Sequence, residues 1–255
     1  MVLISIVAFT RKHLSGALES GHKYCHYFRT ETLARYIYSY YSESVSANDE
    51  LESFLIAALQ AELDARMLNR QMKILREAGF PTKKRFEDLV PDSLPEDGKR
   101  AISELKSLGF VQEKKNVILL GNSGTGKTHL AIATGVLACE HNYRVMFRTA
   151  AGLVNEMIEA RQDNRLSVLM RQFKKVDLLI LDELGYITFD LAGAELVFQL
   201  LAARYETSST IITTNLSFSD WIKIFHDKSL TAAILDRITH RSAIINMNGV
   251  SFRRR

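Results

Sequence analysis

Cysteine is nearly missing from this 255-residue chain. Cys25 and Cys139 form no C-x-x-C pair and are too few for a disulfide framework, so reduced thiols without a metal are expected. Proline is almost as scarce, with Pro81, Pro91 and Pro95 confined to one stretch. Long apolar runs are lacking too: none reaches the roughly 18 residues that a membrane-spanning helix needs. The apolar residues 2–9 are followed by Arg11 and Lys12 instead of being preceded by basic residues, and no small-residue cleavage pattern is evident. A cytoplasmic chain without membrane attachment is the expectation. His129, His141, His226 and His240 share no metal-ligand spacing with one another or with a cysteine, which points away from zinc. There is no internal repeat and no low-complexity segment. Neither sign of charge dominates, and a formal net charge of +4 permits a polyanionic partner without requiring one.

What is present fixes a ligand class. Gly121, Asn122, Ser123, Gly124, Thr125, Gly126, Lys127 and Thr128 form a complete G-x-x-x-x-G-K-[ST] phosphate loop. Before it, residues 116–120 are short, branched and uncharged, as in a parallel strand buried on both faces. After it, residues 127–140 are alanine-rich and helical in pattern. The glycines let backbone N–H groups turn toward phosphate oxygens, and the helix N-terminus adds partial positive charge. Lys127 is expected to meet the β- and γ-phosphates, Thr128 to offer its hydroxyl to Mg²⁺, and His129 to join the nucleotide-lining residues.

With 47% hydrophobic and 24% charged residues, the chain can bury a full core and allows one large domain plus a small helical region. Strands are expected near 117–120, 144–148, 176–181, 210–214 and 243–247. Helices are expected near 128–140, 151–173, 192–206 and 230–240. Every strand pair then has room for a crossover, so the sheet should be parallel, with ligands at the strands' carboxyl ends.

Asp182 and Glu183 follow four apolar residues at such an end, the pattern called Walker B. Asp182 would hold Mg²⁺ and Glu183 would polarise the water that attacks the γ-phosphate. An acidic pair can also be a solvated strand end. Asn215 ends another apolar strand; it can serve as a sensor of the γ-phosphate and water, or simply begin a turn. Arg237 and Arg241, four apart near a helix C-terminus, would share a face. They could reach a phosphate held by a neighbouring subunit, with Arg241 the first choice, or they could merely complement the helix dipole.

The phosphate loop through Leu130, residues 178–186, 211–215 and 235–241, and the ending 248–253 together resemble the IstB family, helper ATPases of insertion-sequence transposition. That family lies in the AAA+ class, close to helicase loaders of the DnaC type. The resemblance covers roughly residues 30–255. It implies an α/β P-loop NTPase fold, a parallel sheet with flanking helices, preceded by a small helical region. It also implies an ATP- and Mg²⁺-dependent homo-oligomer on duplex DNA that recruits and stimulates a transposase, with Arg253 as a second sensor toward the nucleotide. Residues 1–28, with three histidines and Cys25, match nothing in that family.

Three regions are expected: a helical region over 1–80, a linker and approach over 81–115, and an ATPase core over 116–255. From Asp49 to Ala78, apolar residues recur at Leu51, Phe54, Leu55, Leu59, Leu63, Met67 and Leu75, which describes one long amphipathic helix stopped by Gly79 and Pro81. Arg66, Arg70 and Lys73 lie off that stripe and could track a DNA backbone, helped by Lys83, Lys84 and Arg85; a solvated face with a Glu62–Arg66 pair fits the same pattern. Pro91, Pro95 and Gly98 suggest a hinge-like linker. Tyr36, Tyr38, Tyr40 and Tyr41 suit packing better than base stacking.

Other functions share these motifs. A DnaC-like helicase loader would keep every nucleotide residue, a small-molecule P-loop kinase would pass phosphate to an acceptor, and an ATP-dependent scaffold would need no Glu183 chemistry. The acid and the sensor amide suit hydrolysis better than transfer.

Overall fold

The computed structural model describes residues 51–91 and 94–251, with side chains from Gln60 onward. Residues 1–28, the tyrosines at 36–41 and Arg253 therefore lie outside the described residues. The distribution of contacts divides the chain into units of residues 1–70 and 71–255.

Helix α1 spans Leu51–Glu77. Its periodicity assigns Leu63 and Met67 to a covered face, yet both are more than half exposed, whereas Ile74 is buried. Arg66 pairs with Glu62 at 2.6 Å, and Lys73 lies 3.8 Å from Glu77.

A short 3₁₀ turn, Phe86–Asp88, follows, and α2 (Glu96–Ser107) and α3 (Gly109–Gln112) lead to the first strand. Gly98, read from sequence as part of a hinge, lies inside α2 and is buried, with Ala101 and Leu105 on the same buried side. Helical spacing of those three small and apolar residues outweighs the breaker signal of the prolines, since Pro95 sits at the N-cap where it costs no hydrogen bond.

The remaining elements alternate: β1 (Asn116–Leu120), α4 (Lys127–Glu140), β2 (Val145–Thr149), α5 (Ala150–Gln162), α6 (Leu166–Lys174), β3 (Leu178–Leu184), α7 (Leu191–Arg204), β4 (Ser209–Thr214), α8 (Ile222–Phe225), α9 (Lys228–Thr239) and β5 (Ser242–Asn246). The single helix expected over 151–173 is two, because Asn164 takes φ +55 and turns the chain between them.

All strand pairs are parallel, in the order β2-β3-β4-β1-β5. Val117, Leu119, Leu178, Ile180, Ile211 and Ile245 face one core layer, with α2 and α4. Ile118, Leu179, Leu181 and Ile212 face the other, with α5, α6, α7 and α9. Both faces are thus covered, which is why the strands read as continuous apolar runs. The order also sets β4 between β1 and β3, so the turns leaving β1 and β3 flank the end of β4.

Arg204, at the end of α7, is fully buried. It donates to the carbonyls of Phe173, Val176 and Ser209 and to Thr210 Oγ1, joining α7 to the amino ends of β3 and β4. Desolvation pushes its pKa down to about 10, partly offset by Asp177, so it stays a cation at neutral pH. No helix among the described residues is long and apolar enough to cross a membrane.

Candidate active site

The phosphate loop begins where β1 ends, and its first residue has no room for a side chain. A Cβ on Gly121 would lie 2.3 Å from the Met247 carbonyl carbon and 2.6 Å from Asn248 N, because the chain leaving β5 crosses directly over it. Met247 N donates to Leu120 O and Asn122 N donates to Asn248 Oδ1 at 3.1 Å, so that crossing is hydrogen-bonded to the loop. At the other end Gly126 caps α4 with φ +93, a conformation that costs other residues about 1–2 kcal/mol. Thr125, fully buried, donates to Asn122 O at 2.9 Å and braces the turn from inside.

Lys127 is buried and donates to the carbonyls of Gly121 and Asn122, each at 2.6 Å. Its ammonium is therefore held at the loop instead of extending into solvent. His129 lies one step further, with Nε2 3.2 Å from Arg85 O. Arg85 also pairs with Glu140 at 2.8 Å, so this member of the basic 83–85 run already has a carboxylate partner.

The central relationship joins the start of α4 to the end of β3, 54 residues apart in sequence. Thr128 Oγ1 donates to Asp182 Oδ1 at 2.9 Å. Asp182 is 3% exposed, and a buried carboxylate needs such donors to offset the loss of water. A second donor reaches the same oxygen: Thr213 Oγ1, from β4, at 2.5 Å. The cluster consists of hard oxygen donors, a carboxylate and a hydroxyl, of the kind Mg²⁺ takes alongside phosphate oxygens. The loop's N–H groups and the N-terminus of α4 suit a phosphate chain.

Next to Asp182, the strand departs from regular pairing. Leu181 pairs with Ile212 and Leu184 with Thr214, so Asp182 and Glu183 both lie opposite Thr213. This is a β-bulge, and Glu183 carries its left-handed residue at φ +61. For a non-glycine residue that conformation costs on the order of 1–3 kcal/mol. The bulge turns consecutive carboxylates in different directions: Asp182 is buried and Glu183 exposed.

Asn215 follows β4 and is exposed, with its Oδ1 close against Gly185 just beyond Glu183. Tyr186, in the same turn, donates from its hydroxyl to Ser123 Oγ at 3.0 Å, so the turn after β3 reaches back to the phosphate loop. Gly121, Lys127, Thr128, Asp182, Glu183 and Asn215 thus gather at the carboxyl edge of β1, β3 and β4.

The arginines do not join them. Helix α9 ends at Thr239, His240 is extended, and Arg241 takes φ +59 on the way into β5. Arg237 and Arg241 consequently do not share a helical face, contrary to the expectation from their spacing. The reason lies in the backbone: His240 N makes the last helical bond, to Asp236 O, and the extended His240 and left-handed Arg241 then turn the chain out of the helix, with the Tyr205 hydroxyl 2.8 Å from His240 Nδ1. Arg237 stacks over the Phe198 ring at 4.7 Å and donates to Ala233 O. Arg241 accepts Asn116 N on its carbonyl and donates to Glu113 O at 3.3 Å. Asn116 opens β1, four steps of roughly 3.3 Å from its loop end. Arg241 therefore sits at the amino edge of the sheet, away from the phosphate loop of its own chain.

Thr213, Tyr186 and Asn248 lie in segments that carry the family resemblance, but nothing in the sequence singles them out as site residues. Thr213 reads as one more β-branched strand residue, and only the bulge, invisible in the sequence, assigns its hydroxyl to two acids.

The family profile described as "IstB-like ATP binding protein" matches residues 25–255. The chain is 40% identical to the ATP-binding protein of insertion sequence IS21 from Pseudomonas aeruginosa, over 84% of this chain and 83% of that protein. It is 35% identical to the ATP-binding protein of insertion sequence IS5376 from Geobacillus stearothermophilus, over 93% and 94%. Among solved structures, that of DnaI matches with a TM-score of 0.56 at 23% identity, covering 69% of this chain and 93% of that one. AMPPCP-bound DnaA from Aquifex aeolicus matches with a TM-score of 0.55 at 21% identity, covering 66% and 50%. These structural likenesses concern the fold alone, a parallel sheet with flanking helices. By the extent of the profile match and the identity to these relatives, the chain belongs to the family of IstB-like ATP-binding proteins.

Proposed function

We propose that this protein hydrolyses ATP and uses the cycle to assemble on duplex DNA and engage the transposase of its insertion sequence. The observation that carries the reading is the 2.9 Å bond between Thr128 and Asp182, which joins the phosphate loop to the acid-bearing end of β3. In this reading the loop, Lys127 and His129 hold the nucleotide, while Thr128 and Asp182 hold Mg²⁺. The ion supplies charge neutralisation at the phosphates when bound. Glu183 accepts a proton from water and orients it, Asn215 donates its amide toward the phosphate and that water, and Arg253 approaches the nucleotide as a second sensor.

Arg241, with Arg237 as the alternative, acts on a neighbouring protomer's phosphate, so turnover depends on a homo-oligomer. The position of Arg241 at the far edge of its own sheet supports that assignment. Arg70, Lys83 and Lys84 offer cations for a DNA backbone, whereas Arg66, Lys73 and Arg85 have carboxylate partners. The insertion-sequence origin of the relatives favours a transposase over a replicative helicase as partner.

Phosphate release should be measured for the parent, Glu183→Gln and Lys127→Ala, with and without duplex DNA, at several salt concentrations. Loss of release in both variants, with DNA stimulation that fades as salt rises, supports the reading. Equal release by parent and Glu183→Gln rejects it. Affinity capture that returns a replicative helicase instead of the transposase would move the protein among the loaders.

A further inference from the structure

Thr213 is 1% exposed and its hydroxyl makes two bonds of opposite sense: it donates to Asp182 Oδ1 at 2.5 Å and accepts from Glu183 N at 2.9 Å. Both acids stand opposite this one residue because of the bulge between Leu181 and Leu184. The two interactions do different things. The first, together with Thr128, saturates Oδ1 of Asp182 and so fixes which carboxylate oxygen remains for other ligands. The second takes up the N–H of a residue held at φ +61, a backbone conformation that a non-glycine residue keeps only where its surroundings impose it.

We propose that Thr213 is a positioning residue for the proposed hydrolysis: its hydroxyl sets the relative placement of the metal-side acid Asp182 and the water-side acid Glu183. The proposal rests on the assignment of those two roles under the proposed function. A valine in its place keeps the branched shape that β4 packs and removes both bonds. Glu183 N then loses its acceptor, the bulge relaxes toward regular pairing, and Asp182 regains freedom to rotate. A serine keeps the hydroxyl and loses only a methyl group. Because Asn215 lies two residues further on, just past the end of β4, the strand would carry the clamp on the acids and the turn leaving it the sensor amide.

The test compares Thr213→Val and Thr213→Ser with the parent full-length chain. The readouts are steady-state ATP hydrolysis, binding of a fluorescent ATP analogue with and without Mg²⁺, and thermal unfolding. Thr213→Val should lower kcat by about tenfold or more, in the range found when outer groups that orient a metal ligand are removed. Its analogue affinity without Mg²⁺ should stay within about threefold of the parent, and its Mg²⁺ dependence should shift to higher concentration. Thr213→Ser should recover most of the lost rate. A Thr213→Val chain that turns over ATP and responds to Mg²⁺ like the parent overturns the proposal, as does a Thr213→Ser chain as impaired as Thr213→Val. If Thr213→Val does not fold, Thr213→Ala carries the same comparison. If the parent itself hydrolyses no ATP, the proposed function fails, and Thr213 is judged on the Mg²⁺ dependence of analogue binding alone, where no shift rejects it.

Discussion

Asn122 N donates to Asn248 Oδ1 at 3.1 Å, so the second residue of the phosphate loop is tied to the second residue beyond β5. The same crossing leaves Gly121 against the Met247 carbonyl. Gly121→Ala should therefore be destructive, since the atoms in the way are backbone and have no rotamer to change. Forced overpacking of this kind costs about 1–3 kcal/mol. Thermal unfolding should show a clear fall in Tm together with weakened nucleotide binding, whereas Asn248→Ala, which removes the exposed bonds to Asn122 N and to Asn246 Oδ1, should weaken binding by roughly 1 kcal/mol. A Gly121→Ala chain as stable as the parent would mean that the two segments do not touch in solution.

Arg204 is expected to matter for folding and not for chemistry. Arg204→Met keeps the length of the stem but strips donors from the buried carbonyls of Phe173, Val176 and Ser209. Each orphaned buried group costs about 1–3 kcal/mol, so the substitution should lower stability by several kcal/mol in a denaturant titration. Retention of parental stability would contradict the hydrogen-bond assignment.

Cys139 offers a measurement on the core. Burial pushes its thiol pKa up to about 12, from an ordinary 9.0. The folded chain therefore keeps a proton that the unfolded chain gives up as pH rises through 9. Stability from this group is complete below pH 9 and falls between there and about 12. In a Cys25→Ser chain, a thiol reagent at pH 8 should react at the rate of unfolding. Fast labelling of the folded protein would refute the burial.

How these sites were written in the sequence differs from one to the next. The phosphate loop, β1 and α4 were legible because a local backbone shape demands glycines at fixed offsets and a lysine beside them. The acids were legible as a polar pair after an apolar strand, since a sheet buried on both faces admits no charge until its edge. The division of α5 from α6 was hidden, because a left-handed Asn164 is one turn residue among polar neighbours that also suit a helix. Thr213 was hidden for a different reason: its role depends on a bulge in β3, and which residues face each other across two strands is a property of register. The separation of Arg237 from Arg241 follows from an extended His240 and a left-handed Arg241 at the end of α9, which periodicity within one helix cannot anticipate.

That separation leads to the sharpest test of an intersubunit site. Glu183 and Arg241 lie at opposite edges of one sheet, so a chain that needs both must borrow one of them from a neighbour. Glu183→Gln and Arg241→Ala should each be nearly inactive alone while still binding the fluorescent ATP analogue. In a head-to-tail assembly each interface takes Glu183 from one protomer and Arg241 from the next. Random mixing of the two variants in equal amounts then places both intact residues at roughly a quarter of interfaces, and hydrolysis should recover to about that fraction of the parental rate. Recovery should disappear when the proteins are diluted below the concentration at which they associate. If Arg241→Ala alone hydrolyses like the parent, Arg241 is not the intersubunit residue and the same mixing with Arg237→Ala becomes decisive. If neither arginine variant loses activity, the site is complete within one chain, and dependence on oligomerisation must have another cause.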